Sequence, residues 1–126
     1  MIANGTYRIL AVDDLEDNLF LLQTVLESEG YEVETATSGS DALAKISQLP
    51  PDLVLLDVMM PGMTGIEVTQ RIRKNQKLQE LPVVLITAYG ESTAQQGIKE
   101  GANDYLRKPL DLQELLDKVR FLCEGQ

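Results

Sequence analysis

Four strand-like runs in this chain, three of them wholly apolar, end on residues that can do chemistry. Ile9 to Val12 leads into Asp13 and Asp14, Leu53 to Leu56 into Asp57, Val83 to Ile86 into Thr87, and Asp104 to Arg107 into Lys108 and Pro109. Packing needs no carboxylate at the rim of a core. Asp57 is therefore either an ordinary loop residue or the group that its apolar run serves to present. Three carboxylates gathered within a few ångströms repel by about 4 kcal/mol per pair at an effective dielectric near 20, so they hold a proton or recruit a cation. Carboxylates, a backbone carbonyl and water suit Mg²⁺, or Mn²⁺, better than softer metals, and Mg²⁺ brings phosphate oxygens into its own shell. The acids thus point to phosphoryl chemistry. Asp57 stands alone at the middle of the rim, free to attack phosphorus while Asp13 and Asp14 secure the ion. Lys108 supplies a point charge for the transferred group, and the Thr87 hydroxyl a hydrogen bond.

Each residue also has a plainer reading. Asp14 alone is a helix cap, a role aspartate fills readily. Lys108 before Pro109 alone is a turn, Thr87 a common strand end, Tyr105 an edge-strand aromatic, and Met59, Met60 and Met63 loop packing. Coincidence decides for function, because the chain order delivers acid, acid, hydroxyl and lysine to one rim.

That rim follows from the elements. Residues 1 to 6 are a loose lead-in. After the first strand the spacing turns helical, with Leu15, Leu19, Leu22, Val25 and Leu26 on one face and Gly30 at a left-handed end. Glu32 to Ala36 alternates as a half-exposed strand does. Ser38 with Asp41, Thr64 with Glu67, Ser92 with Gln95 and Asp111 with Glu114 mark the starts of the second to fifth helices. Gly101 ends the fourth. Pro50 and Pro51 stop the second, whose apolar face is Ala42, Leu43, Ile46 and Leu49. Leu112, Leu115, Leu116, Val119 and Leu122 line the inner face of the last helix. Alternating strands and helices on short links predict an α/β fold, an open doubly wound parallel sheet with helices on both faces. Runs one, three and four are continuously apolar, as central strands are, while runs two and five carry the charges of edges. The order that satisfies this is 2-1-3-4-5, the flavodoxin-like (βα)5 arrangement. Its switch point lies between strands one and three, beyond whose carboxyl ends such sheets place their sites.

Composition narrows the function. The 126 residues are 44% hydrophobic, the size of a single domain over 1–126, with no effector domain within them; a stand-alone protein and a piece of a longer one both stay open. A net charge of -9 opposes binding of nucleic acid or an anionic membrane by this chain. No signal peptide or membrane-length apolar run is present, so a soluble cytoplasmic protein is expected. Cys123 is the sole cysteine and reads as packing. The chain has no histidine, which excludes hydrolase triads, the usual zinc sites and any phosphohistidine of its own.

With AVDD at 11–14, LLDVMMPGMTG at 55–65, ITA at 86–88 and DYLRKP at 104–109, the chain resembles the receiver domains of two-component response regulators over essentially its whole length. The resemblance implies that Asp57 is the phosphoacceptor, taking its phosphoryl group from a phosphohistidine on a sensor histidine kinase or histidine phosphotransfer protein. It implies a signalling domain rather than an enzyme, one that takes part in its own phosphorylation and dephosphorylation. It implies direct Mg²⁺ binding by Asp14, Asp57 and the Met59 carbonyl, with Asp13 acting through water. Lys108 would pair with phosphoryl oxygens, and the Lys108 to Pro109 bond would be cis. Thr87 and Tyr105 would be the switch, read out on helix four, strand five and helix five. Thr64 stands where many relatives carry Asp, and either residue caps a helix. Met59 and Tyr89, with Ala88 in the same set, occupy tuning positions; bulky side chains there imply slow self-hydrolysis. The output partner and homodimerisation on phosphorylation stay open. Two rivals are weaker. A flavodoxin-like electron carrier wants a hydroxyl- and glycine-rich loop where Asp13 and Asp14 would repel a flavin phosphate. A Mg-dependent phosphatase with an aspartyl nucleophile wants an acid where Met59 stands.

Overall fold

The computed structural model describes residues 5–88 and 90–125. Five strands alternate with five helices: β1 (Arg8–Val12), α1 (Glu16–Ser28), β2 (Glu32–Ala36), α2 (Gly39–Gln48), β3 (Leu53–Asp57), α3 (Gly65–Lys74), β4 (Val83–Thr87), α4 (Glu91–Lys99), β5 (Asp104–Arg107) and α5 (Leu112–Glu124). A short 3-10 turn, Gln76–Leu78, lies in the link after α3. All pairings are parallel and the sheet order is β2-β1-β3-β4-β5, as the charge distribution predicts.

The two-residue period of a strand sorts the apolar residues into two cores. Ile9, Ala11, Leu53, Leu55, Val84 and Ile86 face α1 and α5, where they meet Leu19, Leu22, Leu26, Leu115 and Val119. Leu10, Val12, Val54, Leu56, Val83 and Leu85 face the other way, onto Ala42 and Ile46 of α2 and Val68 and Ile72 of α3. Every residue of β1, β3 and β4 is buried, because each of these strands is covered on both faces. Asp57 and Thr87 are the last residues of their strands, so the same burial that fixes the sheet holds them rigidly.

Three of the expected helix starts are present. The Ser38 hydroxyl accepts from the Asp41 N–H, Thr64 and Glu67 form a reciprocal capping box, and Asp111 accepts from the N–H groups of Gln113 and Glu114. The expected Ser92 with Gln95 cap is not. α4 begins at Glu91 behind Gly90, whose glycine backbone carries no capping side chain. Ser92 therefore lies inside the first turn, and the Gln95 amide donates instead to Glu91 Oε1. Leu15, assigned to the inner face of α1, precedes the helix and is 57% exposed. Leu49 and Leu112, at the end of α2 and the start of α5, are exposed for the same reason: a terminal residue has no neighbouring turn to pack beneath it. Gly30 and Gly101 take positive φ of 92° and 117° after α1 and α4, as their positions require. Among the described residues no helix is long and apolar enough to cross a membrane.

Candidate functional site

The register of the sheet brings the ends of β1, β3, β4 and β5 to one rim. Val12 pairs with Leu56, Asp57 with Ile86, and Thr87 with Arg107, so Asp13, Asp57, Thr87 and Lys108 emerge side by side. Main-chain bonds continue past the strands: Asp13 N–H donates to Ala36, Val58 N–H to Ile86, and Lys108 N–H to Thr87. The Lys108–Pro109 peptide is cis.

Carboxylate oxygens of Asp13, Asp14 and Asp57 lie within 4.8 Å of one another. Asp13 and Asp57 are buried, and Asp14 is more open. The Lys108 ammonium reaches across to Asp57 Oδ1 at 3.1 Å and stands 3.9 Å from Asp13 Oδ2. Asp13 Oδ1 accepts from the Leu15 N–H at 2.9 Å, and Oδ2 from the Asn18 amide at 3.0 Å. Asp13, rather than Asp14, is thus the acid that turns onto the start of α1.

Burial raises the Asp57 carboxyl above its ordinary range. The Lys108 hydrogen bond opposes that, the Asp13 charge adds to it, and the remaining contributions come from the charges of Lys108 and Asp14. Three carboxylates face one ammonium, so an ionised rim carries an excess of two negative charges. A hard divalent cation balances that excess, and the donors are all oxygen; the residues present fit Mg²⁺.

The other expected residues are distributed around this centre. Thr87 is buried at the end of β4, 1% exposed, while Ala88 and Met59 are exposed. Tyr89 lies outside the described residues. Tyr105 is half-buried on β5, packed against the core on one side, and its hydroxyl donates to Glu91 Oε1 at 3.1 Å. The Arg107 guanidinium pairs with the other oxygen of Glu91, and Arg107 and Lys118 both lie near the Tyr105 ring. A cleft of about 340 Å³ opens beside the acids, lined by Asp13, Asn18, Leu21, Ile86, Lys108 and Leu112.

Two residues of this region are given no role by a reading of motifs. Gly65, the first residue of α3, donates its N–H to the Val58 carbonyl at 2.9 Å. A Cβ there would stand 2.4 Å from the Asp57 backbone oxygen, so only glycine lets α3 start this close to β3. Its place at the end of the LLDVMMPGMTG run, directly after the capping threonine, is the signal the sequence offered. Asn18 is the second; nothing in its spacing marks it.

Comparison with known proteins agrees with this geometry. A family model described as response regulator receiver domain matches residues 9–120. The response regulator PleD of Caulobacter vibrioides is 47% identical over 116 residues, covering 91% of this chain and 26% of PleD. The DNA-binding dual master transcriptional regulator RpaA of Synechocystis is 41% identical, with 91% and 48% covered. Protein PilH of Pseudomonas aeruginosa is 36% identical, with 94% and 98% covered. The chain therefore spans about a quarter of PleD, about half of RpaA and nearly all of PilH. Among solved structures, the Vibrio cholerae chemotaxis protein CheY4 superposes with a TM-score of 0.88 at 33% identity, over 94% of this chain and 99% of that one. The receiver domain of the Francisella response regulator 1452 superposes with a TM-score of 0.89 at 30% identity, over 95% and 98%.

Proposed function

Because this chain belongs to the receiver domains of two-component response regulators, we propose that it signals by accepting a phosphoryl group on Asp57. The donor is a phosphohistidine on a sensor histidine kinase or histidine phosphotransfer protein, since the chain has no histidine of its own. A carboxylate oxygen of Asp57 attacks phosphorus, the phosphorus–nitrogen bond of the donor breaks, and its electron pair returns to the imidazole. The product is an acyl phosphate on Asp57. The observation that carries this reading is the buried Asp57 held 3.1 Å from Lys108 beside two further carboxylates.

Asp14, Asp57 and the Met59 carbonyl would hold Mg²⁺, with Asp13 reached through water. The bound ion supplies charge neutralisation for the phosphoryl oxygens. Lys108 follows those oxygens as they arrive, and the Thr87 hydroxyl donates to one of them. Thr87 moving toward the anion and Tyr105 turning inward would require the Tyr105–Glu91 bond to break, which carries the signal to α4, β5 and α5. The domain is a single unit over 1–126, it works in the cytoplasm, and its output partner reads the α4, β5 and α5 surface, on which phosphorylated copies could also pair. The electron-carrier and phosphatase alternatives find no support among the relatives, which are regulators.

The test is incubation with a small phosphodonor and Mg²⁺. One added phosphoryl group by mass is expected on the wild type and none on Asp57→Asn. Labelling of Asp57→Asn, or a wild type no donor can label, would sink the assignment. Slow self-hydrolysis is expected from Met59 and Tyr89. Replacing both with small polar residues should shorten the life of the phosphorylated form several-fold, followed by loss of the added mass; an unchanged lifetime would count against it.

A further inference from the structure

Asp13 is 3% exposed, and both of its oxygens already have donors. Leu15 N–H serves Oδ1 and the Asn18 amide serves Oδ2. Lys108 also approaches Oδ2, but at 3.9 Å against 3.1 Å to Asp57, so its closer tie is to Asp57. A carboxylate that has lost its hydration needs donors in place of the water. The Leu15 N–H is fixed by the main chain. In the run DDLEDN from Asp13 to Asn18, Asn18 is the one side chain that can donate when the acids are ionised. It stands in the first turn of α1, on the wall of the cleft beside the acids.

We propose that Asn18 is a positioning residue for the cation site, holding the Asp13 carboxylate in a single rotamer and so setting the affinity for a divalent cation. This rests on Asp13, Asp14 and Asp57 forming the Mg²⁺ site proposed above. The division of work follows from the distances. Once Lys108 is committed to a phosphoryl group on Asp57, Asn18 is the side chain that remains on Asp13. Groups that orient a ligand without touching the metal commonly change its affinity by about tenfold or more when removed.

The experiment is a calorimetric titration of unphosphorylated protein with MgCl₂, comparing wild type, Asn18→Ala and Asn18→Leu, each also in an Asp13→Asn background. Both substitutions should raise the Kd for Mg²⁺ by about tenfold. The metal-free melting temperature should also fall, because a buried carboxylate loses a donor, the better helix preference of alanine and leucine offsetting part of the loss; Kd is therefore the deciding readout. In the Asp13→Asn background either change should weaken binding by less than about twofold, since the partner through which Asn18 acts is gone. A purely structural Asn18 would lower the melting curve by the same amount and leave Kd alone. An unchanged Kd in both variants, or an equal loss in the Asp13→Asn background, overturns the proposal while leaving the cation site intact. A wild type that gives no Mg²⁺ binding overturns the cation site and this inference together.

Discussion

Asp57 is held in tension by its own surroundings. It lies 4% exposed at the end of β3, and burial with two acidic neighbours outweighs the help it gets from Lys108, so its carboxyl titrates above the ordinary range. A reactive acid is kept available at a cost to folding. Because the folded pKa exceeds the unfolded one, about 3.9 for a free aspartate, Asp57 contributes fully to stability only below that value. The contribution is lost as pH rises through the folded pKa. An asparagine amide in its place would stay neutral throughout. Asp57→Asn should therefore match the wild type near pH 3.5 and gain on it as pH rises through that window. It should hold that advantage at neutral pH in the presence of a chelator. Urea unfolding of both proteins across that range checks this. A difference that does not vary with pH would show that Lys108 cancels the effect of burial, and a variant that loses ground as pH rises would show that the Lys108 pair controls Asp57.

At the scale of elements, what positions Asp57 is partly a missing side chain. A Cβ on Gly65 would press on the backbone oxygen of Asp57 at 2.4 Å and on the Val58 Cα at 3.0 Å, and neither atom can rotate away. At Gly97 in α4, a Cβ would meet Leu85 Cδ1 at 2.2 Å, the far end of a side chain that can turn. Gly65→Ala should lower stability by about 1–3 kcal/mol and slow phosphorylation of Asp57, because α3 and the β3 end must part. Gly97→Ala should cost less than about 1 kcal/mol, the helix preference of alanine offsetting the crowding, and leave phosphorylation near normal. Thermal melts and phosphodonor labelling of the two variants test the contrast; equal effects would remove Gly65 from the site. The helix starts show the same division between what spacing carries and what it does not. Ser38, Thr64 and Asp111 cap as written, because a cap is a bond between residues two or three apart. Ser92 does not cap, because α4 starts at Glu91, where the carboxylate is tied to Tyr105 and Arg107 across the strand. Such a tie spans fourteen or more residues and leaves no periodic trace.

Across the whole molecule, sheet order and rim were legible because burial on two faces writes continuous apolar runs into β1, β3 and β4 and leaves charges on β2 and β5. Which donors attend each acid was not legible, since Asn18 and Lys108 reach Asp13 by rotamers that composition and periodicity do not record. The chain as a whole carries a net charge of -9, and the rim concentrates three of its carboxylates within 4.8 Å. Two effects of Mg²⁺ on stability follow, and they separate. Any salt screens the general repulsion, to a degree set by ionic strength alone. Only binding at the rim depends on those particular carboxylates. At a Mg²⁺ concentration about 100 times its Kd, binding to the folded state alone adds about 2.7 kcal/mol. For a domain of this size that raises Tm on the order of 10 °C. NaCl at matched ionic strength should give a small part of that rise, and Asp14→Asn should lose most of the Mg²⁺ effect while keeping the NaCl effect. If NaCl matched Mg²⁺, or if Asp14→Asn kept the full rise, the gathered acids would be a solvated cluster and not a cation site.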